Sequence, residues 1–89
     1  MIKEYTFISD IGHGWLKVPF TELIALGIHK DISAYSYHRH GMAYLEEDCD
    51  AYRFVEASQK IGNQIKFKEL TVNRESKIRN YDSYANLLI

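Results

Sequence analysis

The chain has one cysteine and one proline in 89 residues, no excess of either charge and no long apolar run. Each shortage excludes something. A lone Cys49 cannot build an internal disulfide framework, which fits a reducing compartment. With 11 basic and 12 acidic side chains the formal net charge is −1, so bulk attraction to nucleic acid or to an anionic membrane is not expected. No apolar stretch approaches the roughly 18–20 residues that span a bilayer, and the opening Met1 to Thr6 lacks the apolar centre of a signal peptide. The expectation is a protein of the cytoplasm with no membrane partner. Also missing are a Ser/His/Asp spacing, a phosphate-binding glycine loop and a dinucleotide fingerprint. The sequence therefore predicts no enzyme and no cofactor.

What is present is an ordinary globular composition, 46% hydrophobic and 26% charged, enough apolar content to argue against disorder. A chain this short buries only about 60–65% of its unfolded surface. It holds one small core, and a shallow groove or a shared site is more plausible than a deep cavity.

Lys3 to Ile8 is rich in aromatic and β-branched residues and reads as a strand. Gly12 and Gly14 mark a turn, and Trp15 to Val18 returns. Pro19 suits a first helical turn. Phe20, Leu23 and Ile24 share one helix face, with Gly27 as a left-handed stop. A second hairpin runs from about Ser33 to Glu46 around Gly41. Asp48 or Asp50 is expected to cap the next helix, whose apolar stripe is Ala51, Phe54, Val55 and Ile61. Gln64 to Glu69 alternates, with Ile65 and Phe67 on one face and Lys66 and Lys68 on the other, and Phe20, Leu23, Ile24, Phe54, Val55, Ile65 and Phe67 are the expected core. The order ββαββαβ predicts an α+β fold: a small, mainly antiparallel sheet with two short helices on one face. Residues 1–69 form the predicted core domain. Residues 70–89 have no clean period, end in Leu87-Leu88-Ile89, and are expected to pack on the core or on a second subunit.

Functional groups concentrate between Asp31 and Asp50. His38 and His40 flank Arg39 at a spacing that shares a strand face, and with Cys49 or Asp50 they could complete a zinc site. No pair has a familiar zinc-motif spacing, and Arg39 sets a cation between the ligands, so no metal is assigned. Glu46, Glu47, Asp48 and Asp50 could hold a hard cation only if their oxygens converged; capping and solvation explain them more simply. Cys49 lies beside acids that raise a thiol pKa and is read as packing.

Seven tyrosines are many for this length. Tyr35, Tyr37 and Tyr44, with Arg39, combine residue types common at interfaces, and are the expected partner-binding residues on an open sheet face. The simpler reading is ordinary cross-strand pairing. Charge is also segregated. Residues 46–56 carry five acids and one base, residues 60–79 six bases and two acids. Lys66, Lys68, Arg74, Lys77 and Arg79 could thus supply a basic track beside aromatic rings for single-stranded nucleic acid.

Three segments, Gly12 to Pro19, Ala34 to Tyr37 and Tyr44 to Ala51, resemble a functionally uncharacterised family of small proteins encoded by bacteriophages and other mobile elements. The resemblance covers about residues 5–84 and brings no catalytic or binding residues. It implies a phage or prophage gene in a bacterial cytoplasm, and proteins of that class sometimes inhibit host defences. Together these readings predict a non-enzymatic accessory protein, self-associating, that binds a host protein. A single-stranded nucleic-acid binder is the runner-up, and a metal-dependent hydrolase is the third class.

Overall fold

The computed structural model describes residues 1–88. Strands β1 (Ile2–Ser9) and β2 (Gly14–Pro19) form the first hairpin, followed by helix α1 (Phe20–Ala25). A long loop leads to the second hairpin, β3 (Tyr37–Arg39) and β4 (Met42–Glu46). A π-helical turn, Glu47–Ala51, runs directly into helix α2 (Tyr52–Lys60). Strand β5 (Gln64–Thr71) and a two-residue strand β6 (Asp82–Ser83) complete one six-stranded sheet in the order β5-β1-β2-β4-β3-β6. Only the β1–β5 pair is parallel. This is a small α+β domain with a mainly antiparallel sheet and two short helices.

Both helices cover the same face. Leu23 of α1 and Phe54 of α2 join one buried cluster with Tyr5, Leu16, Val18, Ala43 and Leu45, which the strand register sets on one side of the sheet. α1 is tied down by Glu22, which accepts a hydrogen bond from the Tyr5 hydroxyl and pairs with Lys3. It ends at Gly27 with φ +73°, where the Ile28 N–H donates to the Leu23 carbonyl, the left-handed stop its sequence predicts. At Gly14 the backbone comes so close to Phe7 that a Cβ there would lie 2.5 Å from the ring. The β3–β4 turn uses His40 and Gly41, both with positive φ, as a two-residue hairpin of type I′ requires.

Four expectations are corrected. Ile24 is exposed, because α1 is under two turns long and its inward face is taken by Phe20 and Leu23. Phe67 is on the helix-bearing face but 51% exposed, since β5 is the edge strand and α2 does not reach over it. Ile61 lies past the end of α2, where the chain reverses at Gly62, and is exposed; Ser58 takes the buried position and accepts a hydrogen bond from Asn63. The second hairpin begins at Tyr37, not Ser33.

The opposite face is not left open. Ile78 and Tyr81 lie on it, against Trp15, Tyr44, Ile8 and Met42. The chain then returns through β6 to bury Tyr84 in the helix-side core. Leu87 packs on that core; Ile89 and the Leu88 side chain lie outside the described residues. No helix among the described residues is long and apolar enough to cross a membrane.

Phe54 is fully buried and meets Tyr5 edge-on at 5.1 Å. Phe54→Ala should cost about 3–5 kcal/mol in urea denaturation, as for large-to-small core changes. Phe67→Ala, at the exposed edge, should cost less than about 1 kcal/mol. Equal losses at the two positions would contradict this division of the core.

Candidate recognition pocket

The loop before β3 is shaped by a buried carboxylate. Asp50 is 1% exposed and accepts from the Ser33 N–H (3.0 Å), the Ser33 hydroxyl (2.6 Å) and the Ser36 hydroxyl (2.5 Å). Ser36 Oγ in turn accepts the Glu46 N–H at 2.9 Å. This chain of bonds pulls residues 33–36 out of the predicted strand and lifts Tyr35 into solvent at 72% exposure, beside half-buried Tyr37. The cap of the following helix is Glu46, not Asp48 or Asp50: its carboxylate accepts from the Asp48 and Cys49 N–H groups at 3.0 and 2.9 Å. Glu46 thereby fixes the π-helical turn that presents Asp48 and Cys49.

A second clamp builds the facing wall. Asp10 accepts five hydrogen bonds: from the Gly12 and His13 N–H groups of its own turn, from the Ser76 N–H, and from Arg79 Nε (2.7 Å) and Nη2 (3.0 Å). The Arg79 guanidinium, with the backbone donors of Ser76, Gly12 and His13, holds the Asp10 carboxyl far below the usual carboxylate range. The same contact sets the guanidinium 5.7 Å above the Trp15 ring.

Between the walls lies a surface pocket of about 270 Å³. Trp15 lines its base, with Tyr37 edge-on at 6.3 Å and His13 at 6.1 Å. The Trp15 Nε1 donor is buried without a hydrogen-bond partner. Tyr35 and Arg79 form the rim, and Glu46, Asp48 and Cys49 close the acidic side. No ion pair engages Glu46 or Asp48 among the described residues, whereas Arg79 is neutralised by Asp10. The pocket therefore offers aromatic rings beside the exposed Asp48 carboxylate, with the mostly buried Glu46 behind it, an environment that attracts cations.

Cys49 is exposed rather than packed. A hydrogen bond to Glu46, then burial, then the charges of Glu46, Asp50 and Asp48 push its thiol up, so at neutral pH it stays protonated and weakly nucleophilic.

Of the residues singled out from sequence, Tyr35 and Tyr37 come together here. Arg39 lies outside, exposed, its guanidinium 5.1 Å from the Tyr81 ring. Tyr44 is only 8% exposed, against Tyr81 at 5.0 Å between ring centres, so it supports the surface from beneath. Arg74, Lys77 and Arg79 line a shallow groove with Glu75, while Lys66 and Lys68 lie on β5. His38 and His40 do not converge: the strand ends at Arg39, and His40 turns away at φ +50°. Among the described residues the one group of three potential ligand side chains with atoms within 4.8 Å of one another is Glu46, Glu47 and Asp48. Sequence reading missed Trp15, His13 and the Asp10–Arg79 pair. Asp10 and Arg79 are 69 positions apart, and Trp15 meets Tyr37 and Arg79 from separate segments, so no local spacing signals them.

Comparison with protein-family models, curated proteins and solved structures finds no match.

Two outcomes follow from the clamps. Asp50→Ala leaves three donors unpaired in a dry site and should cost roughly 3 kcal/mol or more in urea denaturation. Asp10 has a depressed folded pKa, so its contribution is complete above the unfolded value of about 4 and is lost as pH falls below it. The urea midpoint should therefore fall more steeply below pH of about 4 in the native sequence than in Asp10→Asn. Parallel pH profiles for the two proteins would show that the clamp does not contribute.

Proposed function

We propose that this chain is a non-enzymatic recognition module that takes a basic side chain of a protein partner into the pocket between Tyr35, Tyr37 and the Glu46–Asp48 pair. One observation carries the reading. Two carboxylates border three aromatic rings, and the one permanent cation in the lining, Arg79, is already neutralised by Asp10. A lysine or arginine of a partner would gain ring contact and charge pairing together. The buried Trp15 N–H beneath these rings can report on the contact without taking part in it. In the context that the phage-type resemblance implies, the partner is a host protein, and blocking an antiviral system is one use of the contact.

A second reading, binding of single-stranded nucleic acid, is favoured by the register. Lys68, Thr6, Lys17, Tyr44, Tyr37 and Ser83 form one cross-strand row on the face opposite the helices. Two lysines in that row could meet phosphates. Stacking needs an open ring, however, and Tyr44 is covered by Tyr81, which leaves the protein partner as the better-supported choice.

The readings separate in one titration series. Blocked peptides containing one central arginine or lysine should shift the Trp15 indole N–H resonance. Tyr37→Ala or Asp48→Asn should weaken that binding by about fivefold, or ~1 kcal/mol, while Arg39→Ala leaves it unchanged. A short oligonucleotide that binds more tightly than the peptides, with affinity falling steeply in salt and lost in Lys17→Ala with Lys68→Ala, would replace the protein partner with nucleic acid.

A further inference from the structure

The two edges of the sheet are finished differently. β6, at one edge, is two residues long and passes at once into a 3-10 turn. β5, at the other, is eight residues long, is paired only with β1, and is exposed along almost its whole length. Its outward-facing N–H and C=O groups form a template for another strand. We propose that this edge is a strand-addition site for an extended segment of a partner protein in which acidic and apolar residues alternate. The site uses none of the pocket's residues and does not depend on that reading.

The chemistry of the occupant follows from the two faces of β5. Residues directly opposite one another in paired strands share a face. Opposite the helices, an added strand meets Lys66 and Lys68, both exposed and neither in an ion pair among the described residues. Glu4 is the β1 neighbour of Lys66, but Lys68 stands beside uncharged Thr6. Acids are the complement there. On the helix-bearing side the added strand meets Phe67, which rims an apolar groove of about 470 Å³ formed with Phe7, Val55 and Tyr52. Branched or aromatic side chains are the complement there. Main-chain pairing supplies affinity and the alternating side chains supply selectivity, as in other strand-addition complexes.

A second copy of this chain is a poorer occupant. The two antiparallel registers that overlap most of β5 set Lys66 against Lys68, or Lys68 against its own copy. Like charges directly opposite are unfavourable, and lysine on an edge strand is a common device against self-pairing. Dimer formation, which the apolar C-terminal residues led us to expect, would have to use another surface.

The test uses two blocked seven-residue peptides, one alternating glutamate with valine and one alternating lysine with valine. Binding to the intact protein is followed by amide exchange and by NMR shifts of residues 64–71. The acidic peptide should protect outward-facing β5 amides and bind at least about tenfold more tightly than the basic one. Lys66→Glu with Lys68→Glu should invert that preference, and the Gln pair should abolish it, with unchanged circular dichroism in both. Equal binding of the two peptides, or no protection of β5, overturns the proposal. So does protection that rises with protein concentration alone, which would assign the edge to a second copy.

Discussion

The buried carboxylate of Asp50 is the constraint on which the functional surface depends. It is almost fully removed from water, and a charge there is tolerable only with donors around it. Ser33 and Ser36 supply three. Meeting that demand ties the first turn before α2 to the loop before β3, and Ser36 passes the constraint on to Glu46 through its backbone N–H. The Ser36 carbonyl then accepts from the Tyr84 N–H at 2.8 Å. Tyr84 itself is buried and donates to the His29 carbonyl, and burial, with the nearby Asp50 charge, pushes its hydroxyl up to about 12. One carboxylate side chain thus holds together α2, β4, the loop and the returning C-terminal segment. A fully satisfied polar network of this kind specifies one arrangement where apolar packing alone would allow several.

Asp10 does for the other half of the pocket what Asp50 does for the first. Its turn geometry is local, an aspartate accepting from residues two and three ahead, the usual Asx arrangement. Its partners Ser76 and Arg79 are far away in sequence. Because the same carboxylate serves both, folding the first hairpin prepares the seat for the last segment. Ile78 is then carried onto Trp15 and Tyr44. That closure also removes the positive charge of Arg79 from the pocket's account, leaving Glu46 and Asp48 as its dominant charges.

Local signals carried the sequence reading well wherever structure is local. The strand at Lys3 to Ile8, the turn at Gly41, the stop at Gly27 and the α+β order were all legible from periodicity and turn chemistry. Phe54 and Leu23 were legible as core from helical spacing. Ile24, Ile61 and Phe67 were misjudged because spacing reports the face of an element and not how far its neighbours extend over it. The cap was misjudged for a related reason. Asp48 and Asp50 are better placed in sequence for a conventional cap, but Asp50 turns inward to the serines, and the longer Glu46 reaches the free N–H groups from the strand end. Of the candidate surface, Tyr35 and Tyr37 were visible as unusual residues; Trp15, His13 and the Asp10–Arg79 clamp were not, since they depend on contacts between distant segments.

The same distribution of polar groups bears on what the pocket can do. Asp50 has its oxygens committed to three donors, and Asp10 to five. Glu46 is held by two backbone N–H groups and raises rather than lowers the pKa of the one thiol nearby. A nucleophile needs the opposite, an adjacent base or a lowered pKa. The side chains that look most reactive in the sequence are therefore those most fully used in fixing the shape. What the shape leaves uncommitted is two tyrosine rings and the exposed Asp48 carboxylate on one surface, and a long strand edge with two lysines on another. Both are surfaces suited to recognition by complementary charge and apolar contact. A domain too small for a deep cavity can still present a pre-shaped surface, because Asp50 and Asp10 fix the pocket and pairing with β1 fixes the β5 edge before any partner arrives.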